Sequence, residues 1–281
     1  MTSEMTTATK TEGSRLTMSD QPAAPVRPTA RAFTDRLRSR ERAIGYWVVL
    51  DSPVSTERIA RLGYDYVCID AQHGLVEYGG ILRALTAVDA GGSSVGMVRV
   101  GANEPFHIGQ ALDAGAAGVI VPLVNSDDDA ARAVAAATYP PHGVRSYGPM
   151  RSALRVGPVP AEADASVACL AMIETPQGLE NVEKICAVPG LTGVYVGPSD
   201  LCLAVGGAYP GDPAVADVFE AALERIRTTA EAAGVAAGIH TANGADAARR
   251  LAEGFTFATI SSDLLHIERA AAEHLKQAGG R

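Results

Sequence analysis

Two acidic residues stand where apolar runs stop. "CLAMIE" ends on Glu174 and "GVYVGPSD" ends on Asp200. Two carboxylates from neighbouring segments, completed by water and substrate oxygens, suit a hard octahedral ion such as Mg2+ or Mn2+, with Co2+ as a further option. Singly, each acid has a plainer reading as a helix cap, because "ETPQG" and "PSDL" both look like helix starts. Their recurrence at the same relative place favours a shared cation. "IDAQHG" sets Asp70 three residues before His73. That spacing lets the carboxylate hold one imidazole nitrogen and leave the other as a base. Arg99, within "GMVRVG", is a charge in an apolar run and needs a partner. A salt bridge is one role for it, and stabilising a developing oxyanion is the other. His240 also closes a run, but it, His107, His142, His266 and His274 lack a comparable setting and are read as structural. No lysine lies in such a strand-end motif, which disfavours Schiff-base chemistry.

The elements that must position these residues alternate from Ile44 onward. Eight short runs read as strands: "IGYWVVL", "YDYVCID", "VGMVRV", "GVIVPL", "CLAMIE", "GVYVG", "AAGI" and "FATI". Helical patterns such as "STERIARLG", "DDDAARAVAAATY" and "ADAARRLAEG" separate most of them. Alternation of this kind implies parallel βα units, and near-continuous apolar strands imply burial on both faces. The count predicts an α/β fold, a (β/α)8 TIM barrel, rather than an open doubly wound sheet, for which a GxGxxG after the first strand is missing. Gly63, Gly115, Gly190, Gly234 and Gly254 stand where helices should end in a left-handed residue. In such a barrel chemistry gathers at the C-terminal strand ends. Asp70, His73, Arg99, Glu174, Asp200 and His240 would then share one rim. The long connection from Tyr139 to Ser166 reads as a functional loop or a subunit contact.

Residues 1–30 are rich in Thr, Ser, Ala and Pro and read as a disordered tail, leaving 31–281 as a single barrel domain. The arginines between Arg31 and Arg42 suit a solvated helix face. A net charge of −8 with no basic stripe argues against a nucleic-acid partner. No apolar run approaches the ~20 residues of a membrane span. Four cysteines without CxxC pairing read as reduced, packed thiols, which suits a cytoplasmic protein.

"YDYVCIDAQHG", "MVRV", "ALDAGAAGVIVPLVNS", "YPPHGVRSYGP", "MIETPQGLENVEKICAVPGLTGVYVGPSDL" and "ISSDLL" occur in this order. Together they resemble the HpcH/HpaI aldolase family, metal-dependent class II pyruvate aldolases, over nearly the whole chain after about Ala43. The resemblance implies a carbon–carbon lyase that cleaves or forms 4-hydroxy-2-oxo acids through a metal-held pyruvate enolate, with a 2-oxo acid and an aldehyde as partners. It further implies a homo-oligomer, a hexamer built as a trimer of dimers, with the last helix packed on a neighbour. By the same resemblance Glu174 and Asp200 bind the metal, and His73 is the base, held by Asp70. Arg99 is catalytic, and Asp113 raises the basicity of the histidine. Ser199 offers backbone to the pyruvate carboxylate, and Asp200, Gly197 and Met172 line the substrate site with it. Two positions depart from the family pattern: Gln72 replaces a glutamate, and Met172 replaces a glutamine that contacts substrate. Alternatives with the same enolate are an oxaloacetate decarboxylase or a macrophomate synthase-like enzyme. A citrate lyase-type branch would need a CoA-binding basic rim, which the sequence does not display. A non-catalytic keto-acid-binding barrel has little use for a base and a metal pair.

Overall fold

Each run marked as a strand becomes one. β1 (Ala43–Val48), β2 (Tyr66–Asp70), β3 (Val95–Arg99), β4 (Gly118–Val121), β5 (Ala168–Ile173), β6 (Gly193–Val196), β7 (Ala236–Thr241) and β8 (Phe257–Ser262) pair in chain order, all parallel. β8 returns to β1 and closes the barrel. This computed structural model describes residues 28–280. Its helices are α1 (Ala30–Arg38), α2 (Pro53–Ala60), α3 (Tyr78–Gly91), α4 (Pro105–Asp113), α5 (Asp127–Ala137), α6 (Pro160–Ser166), α7 (Pro176–Glu180), α8 (Val182–Cys186), α9 (Pro198–Ala204), α10 (Ala216–Ala232), α11 (Gly244–Glu253) and α12 (Asp263–Gln277). The strands are buried on both faces because one looks into the barrel and the other against the helices.

Large side chains fill the barrel interior. Tyr66, Tyr195 and Phe257 are fully buried, and the Tyr66 and Tyr195 hydroxyls share Thr259 Oγ1 at 2.6 and 2.7 Å. Gly45 and Gly238 make room for them, since a Cβ at either would overlap the Tyr66 or Phe257 ring. The five glycines expected at helix C-termini all hold left-handed φ values, from 72° to 110°. α1 plugs the end of the barrel where the strands begin. The Phe33 ring packs tilted against Tyr66 with centroids 5.5 Å apart, Thr34 donates to Ser166 O at 2.9 Å, and Arg36 pairs with Asp65 at 2.5 Å.

The tail expected over 1–30 lies outside the described residues as far as 27. Thr29 caps α1, accepting from Ala32 N at 3.1 Å, and Ala30 is already helical. The Tyr139–Ser166 connection includes α6 and runs along the strand-start end of the barrel, so it does not overhang this chain's own mouth. It is pinned there by Arg145 on Asp113 and by Arg151 on Asp89 and Ala114 O. α12 meets the barrel through its N-terminal part, where His266 bonds the Tyr46 hydroxyl at 2.8 Å and Arg269 donates to Ala242 O at 3.3 Å, and it leaves Ile267 and Leu275 more than half exposed. All four cysteines are free and buried. No helix among the described residues is long and apolar enough to cross a membrane.

Candidate active site

β5 and β6 are neighbours in the barrel, with Ile173 opposite Val196, so Glu174 and Asp200 emerge side by side. Neither acid caps a helix. Thr175 caps α7 by accepting from Gly178 N at 2.9 Å, and the N-cap of α9 is Gly197. Glu174 is 2% exposed. Its Oε1 accepts from Leu123 N at 2.9 Å, while Oε2 is buried without a partner. Leu123 presents that amide from a left-handed backbone (φ 55°), a costly conformation for a branched residue and a mark of local constraint. Burial raises the Glu174 carboxyl above its ordinary value; the Leu123 amide opposes this and the Asp200 charge adds to it. A Cβ on Gly197 would overlap Glu174 Oε2 and lie 2.9 Å from Met172 Cε. Glycine at this position therefore leaves the oxygen its place. Asp200 stands exposed in the first turn of α9.

Asp70 and Arg99 end adjacent strands and face each other in register. The guanidinium meets the carboxylate through two bonds, Nε to Oδ1 at 2.9 Å and Nη2 to Oδ2 at 2.5 Å. Trp47 Nε1 donates to Oδ2 at 3.2 Å, and the Gln72 and His73 amides donate to Oδ1 at 3.0 and 3.2 Å. Burial alone would lift the Asp70 carboxyl, but Arg99 and these two amides outweigh it and hold it below its ordinary value. These donors correct the expectation drawn from "IDAQHG". With five of them on its oxygens, Asp70 grips the main chain of His73 and leaves the imidazole exposed at the rim. Arg99 sits 5.1 Å over the Trp47 ring, and its Nη1 stays outside the bidentate pair.

A cavity of about 200 Å3 opens between these groups, the room of roughly seven waters. His73, Arg99, Asp200 and Ser199 line its polar side, with Trp47, Tyr195, Met172 and Gly197 beneath. Trp47 and Tyr195 stack with centroids 5.9 Å apart. His240, read as structural from the sequence, lines this cavity too, 5.3 Å from Trp47 edge to face. The signal for it was its place at the end of β7, the same signal that picked out Asp70 and Arg99. Asp113 is the residue the structure does not bring in. It ends α4, at the strand-start end of the barrel, where it pairs with Arg145 at 2.9 Å. Within one chain it cannot act on His73.

Among the described residues no three His, Cys, Asp or Glu side chains converge as a closed metal cage. What the site offers is two neighbouring carboxylates, one with a buried vacant oxygen, beside an anchored arginine and an exposed histidine. That set suits a cation whose remaining coordination is filled from solution.

The HpcH/HpaI aldolase/citrate lyase family profile matches residues 43–270. The chain is 40% identical to the hydroxypyruvate/pyruvate aldolase of Rhizorhabdus wittichii over 237 residues, covering 84% of this chain and 94% of that protein. It is 36% identical to the 5-keto-4-deoxy-D-glucarate aldolase of Klebsiella pneumoniae over 249 residues, 88% and 95% of the two chains. A crystal structure of an HpcH/HpaI aldolase/citrate lyase family protein from Burkholderia cenocepacia superposes with a TM-score of 0.80 at 32% identity, covering 89% of this chain and all of that one. The citrate lyase β subunit of M. tuberculosis, solved with oxaloacetate and magnesium, shares the fold at 20% identity with a TM-score of 0.53, covering 80% and 93%. The chain belongs to the HpcH/HpaI aldolase/citrate lyase family, and the barrel and the carbon–carbon lyase class anticipated from its sequence agree with that membership.

Proposed function

We propose that this family member is a divalent-metal-dependent aldolase that joins or parts pyruvate and an aldehyde, with Glu174 and Asp200 holding the ion. The observation that carries the reading is Glu174 Oε2: a carboxylate oxygen buried without a partner, kept clear by Gly197, beside a second acid. A buried unpaired charge is costly, and a bound cation removes that cost. Bound there, Mg2+ or Mn2+ supplies Lewis acidity to the keto acid, which makes the scissile carbon–carbon bond labile.

The chain's own residues do the rest. Arg99, fixed by Asp70 and by the Trp47 ring, keeps Nη1 outside that pair for the charge that develops on the keto oxygen. Because its partner is already bound, it needs no reorganisation during the reaction. The free amides of Ser199 and Asp200, in the first turn of α9, face the keto acid's carboxylate. His73, exposed at the rim and tied through its own amide, moves the proton of the 4-hydroxyl directly or through water. Trp47, Tyr195 and Met172 floor the cavity and exclude bulk water from its base.

The apolar side chains left open on the strand-start loop and on α12, with Met150 at 90% exposure, support an assembly of several copies. Four reduced thiols support a cytoplasmic setting. The test is turnover of pyruvate with a panel of aldehydes, with Mg2+ and with EDTA. Condensation should require the ion and return when it is restored. Turnover indifferent to EDTA would remove the metal from the reaction.

A further inference from the structure

One buried polar group in the mouth has no part in that chemistry. His240 is the penultimate residue of β7, and its Nδ1 is buried with no hydrogen-bond partner among the described residues. Such a group is uncommon inside a protein, because an unmet polar atom costs about 1–3 kcal/mol. Burial, with the Arg99 charge beside it, lowers the His240 pKa to about 4, so the ring is neutral near pH 7. A neutral imidazole offers one N–H and one lone pair, the pattern that pairs with a hydroxyl.

Its position says which part of the reaction it faces. The mouth cavity and a neighbouring groove of about 520 Å3 share Pro198, Ser199 and His240 as their common edge. The groove continues away from Glu174 and Arg99, with Phe219, Ile239, Pro213 and Ala242 on its walls. With a keto acid seated beside Arg99 and the first turn of α9, its partner stands between His73 and His240, and the far part of that partner extends past His240 into the groove.

The charges nearby limit what that partner can be. Arg99, the permanent cation of the mouth, is already committed to Asp70. In the groove Asp212, Glu220 and Asp246 face a single arginine, Arg250, whose guanidinium is held by Glu220 at 2.5 and 2.7 Å and by Glu253 at 3.0 Å. A carboxylate at the far end of the electrophile would find repulsion there and no free positive charge.

We propose that His240 determines electrophile specificity, and that the partner it selects is an uncharged hydroxyaldehyde whose hydroxyl bonds its imidazole. This deepens the aldolase reading and rests on it.

The experiment compares addition of pyruvate to three acceptors, in the Mg2+-loaded full chain and in H240L and H240Q. Glycolaldehyde carries the hydroxyl, propionaldehyde lacks it, and succinic semialdehyde ends in a carboxylate. One hydrogen bond of this kind should give glycolaldehyde about a tenfold advantage in kcat/KM over propionaldehyde. H240L should bring that ratio to about one, and H240Q, which keeps a donor and an acceptor, should retain part of it. Succinic semialdehyde should be the poorest acceptor. A ratio near one in the unaltered protein overturns the proposal without any variant, as does a ratio preserved in H240L or a preference for the carboxylated acceptor. Oxaloacetate decarboxylation, which needs no electrophile, separates the two readings. If the unaltered protein decarboxylates oxaloacetate with Mg2+ but shows no hydroxyl preference, only the role of His240 falls. If it does neither that nor aldol addition, the keto-acid reading falls and takes this one with it.

Discussion

Replacing Gly197 with alanine should disable the site while sparing the fold. The backbone there, at φ −89°, accepts any residue, so alanine brings no main-chain strain. The added Cβ overlaps Glu174 Oε2 and stands 2.9 Å from Met172 Cε. Ordinary contact needs about 3.5 Å, so the carboxylate oxygen must retreat by ~1 Å. Both obstructing atoms are the ends of side chains and can move. The structural cost is then at most the Leu123 amide bond to Oε1, about 1 kcal/mol, or ~2–4 °C in Tm for a domain of this size. The functional cost is larger. A misplacement of about 1 Å in a positioned group can cost ~100-fold in rate, equivalent to ~2.7 kcal/mol of transition-state stabilisation. Thermal unfolding should show a folded protein close to the unaltered one. Calorimetric titration should show Mg2+ bound roughly 10–100-fold more weakly, and pyruvate condensation should fall about 100-fold. A G197A protein with unchanged ion affinity and unchanged turnover would refute the claim that Glu174 Oε2 is a ligand position held open by this glycine.

Glu174, Arg99 and the buried Asp263 each respond to perturbation in a measurable way. Burial raises the Glu174 carboxyl, so its contribution to stability is full when protonated and fades as pH climbs through the folded value. Mg2+, which binds the ionised form, should then raise Tm more at about pH 7.5 than at about pH 5, and equal shifts at the two would count against a Glu174 ligand. R99K replaces a fork on Asp70 by a single point charge and removes the group over Trp47, so condensation should drop about 100–1000-fold; a loss under fivefold would leave Arg99 a purely structural partner. Asp263 is 3% exposed and accepts from Val49 N at 2.9 Å, Leu50 N at 3.2 Å and Leu264 N at 2.9 Å, tying β8 back to β1. D263A strands three amides and should lower unfolding free energy by about 3 kcal/mol in urea, with an unaltered slope; a change below about 1 kcal/mol would show those amides rehydrated.

Strand number, strand order and the rim were legible in the sequence because they depend on local signals. Apolar runs between helical stretches mark the strands, and parallel closure sends every strand's C-terminal end to one mouth. A residue closing a run is therefore placed before any contact is known, so Asp70, Arg99, Glu174 and Asp200 fall together on one rim. The left-handed glycines are legible for the same reason, since that backbone conformation is settled by the residue itself.

Partner choice was not legible, because it is a competition decided by distances across the barrel. Asp70 had His73 three residues away in sequence, yet its oxygens are filled by Arg99 from β3, Trp47 from β1 and two amides. A bidentate guanidinium outbids a lone imidazole once the strands bring it into register. His240 stood at a strand end like the others, but only packing against Trp47 and the burial of Nδ1 distinguish it from a satisfied core histidine. Asp113 carries an acid in a promising motif, and the antiparallel run of α4 delivers it to the wrong end of the barrel to serve its own chain. The order of residue types along the chain determined which side chains reach the mouth; folding in three dimensions decided which of them are already bound and which remain free to meet a substrate.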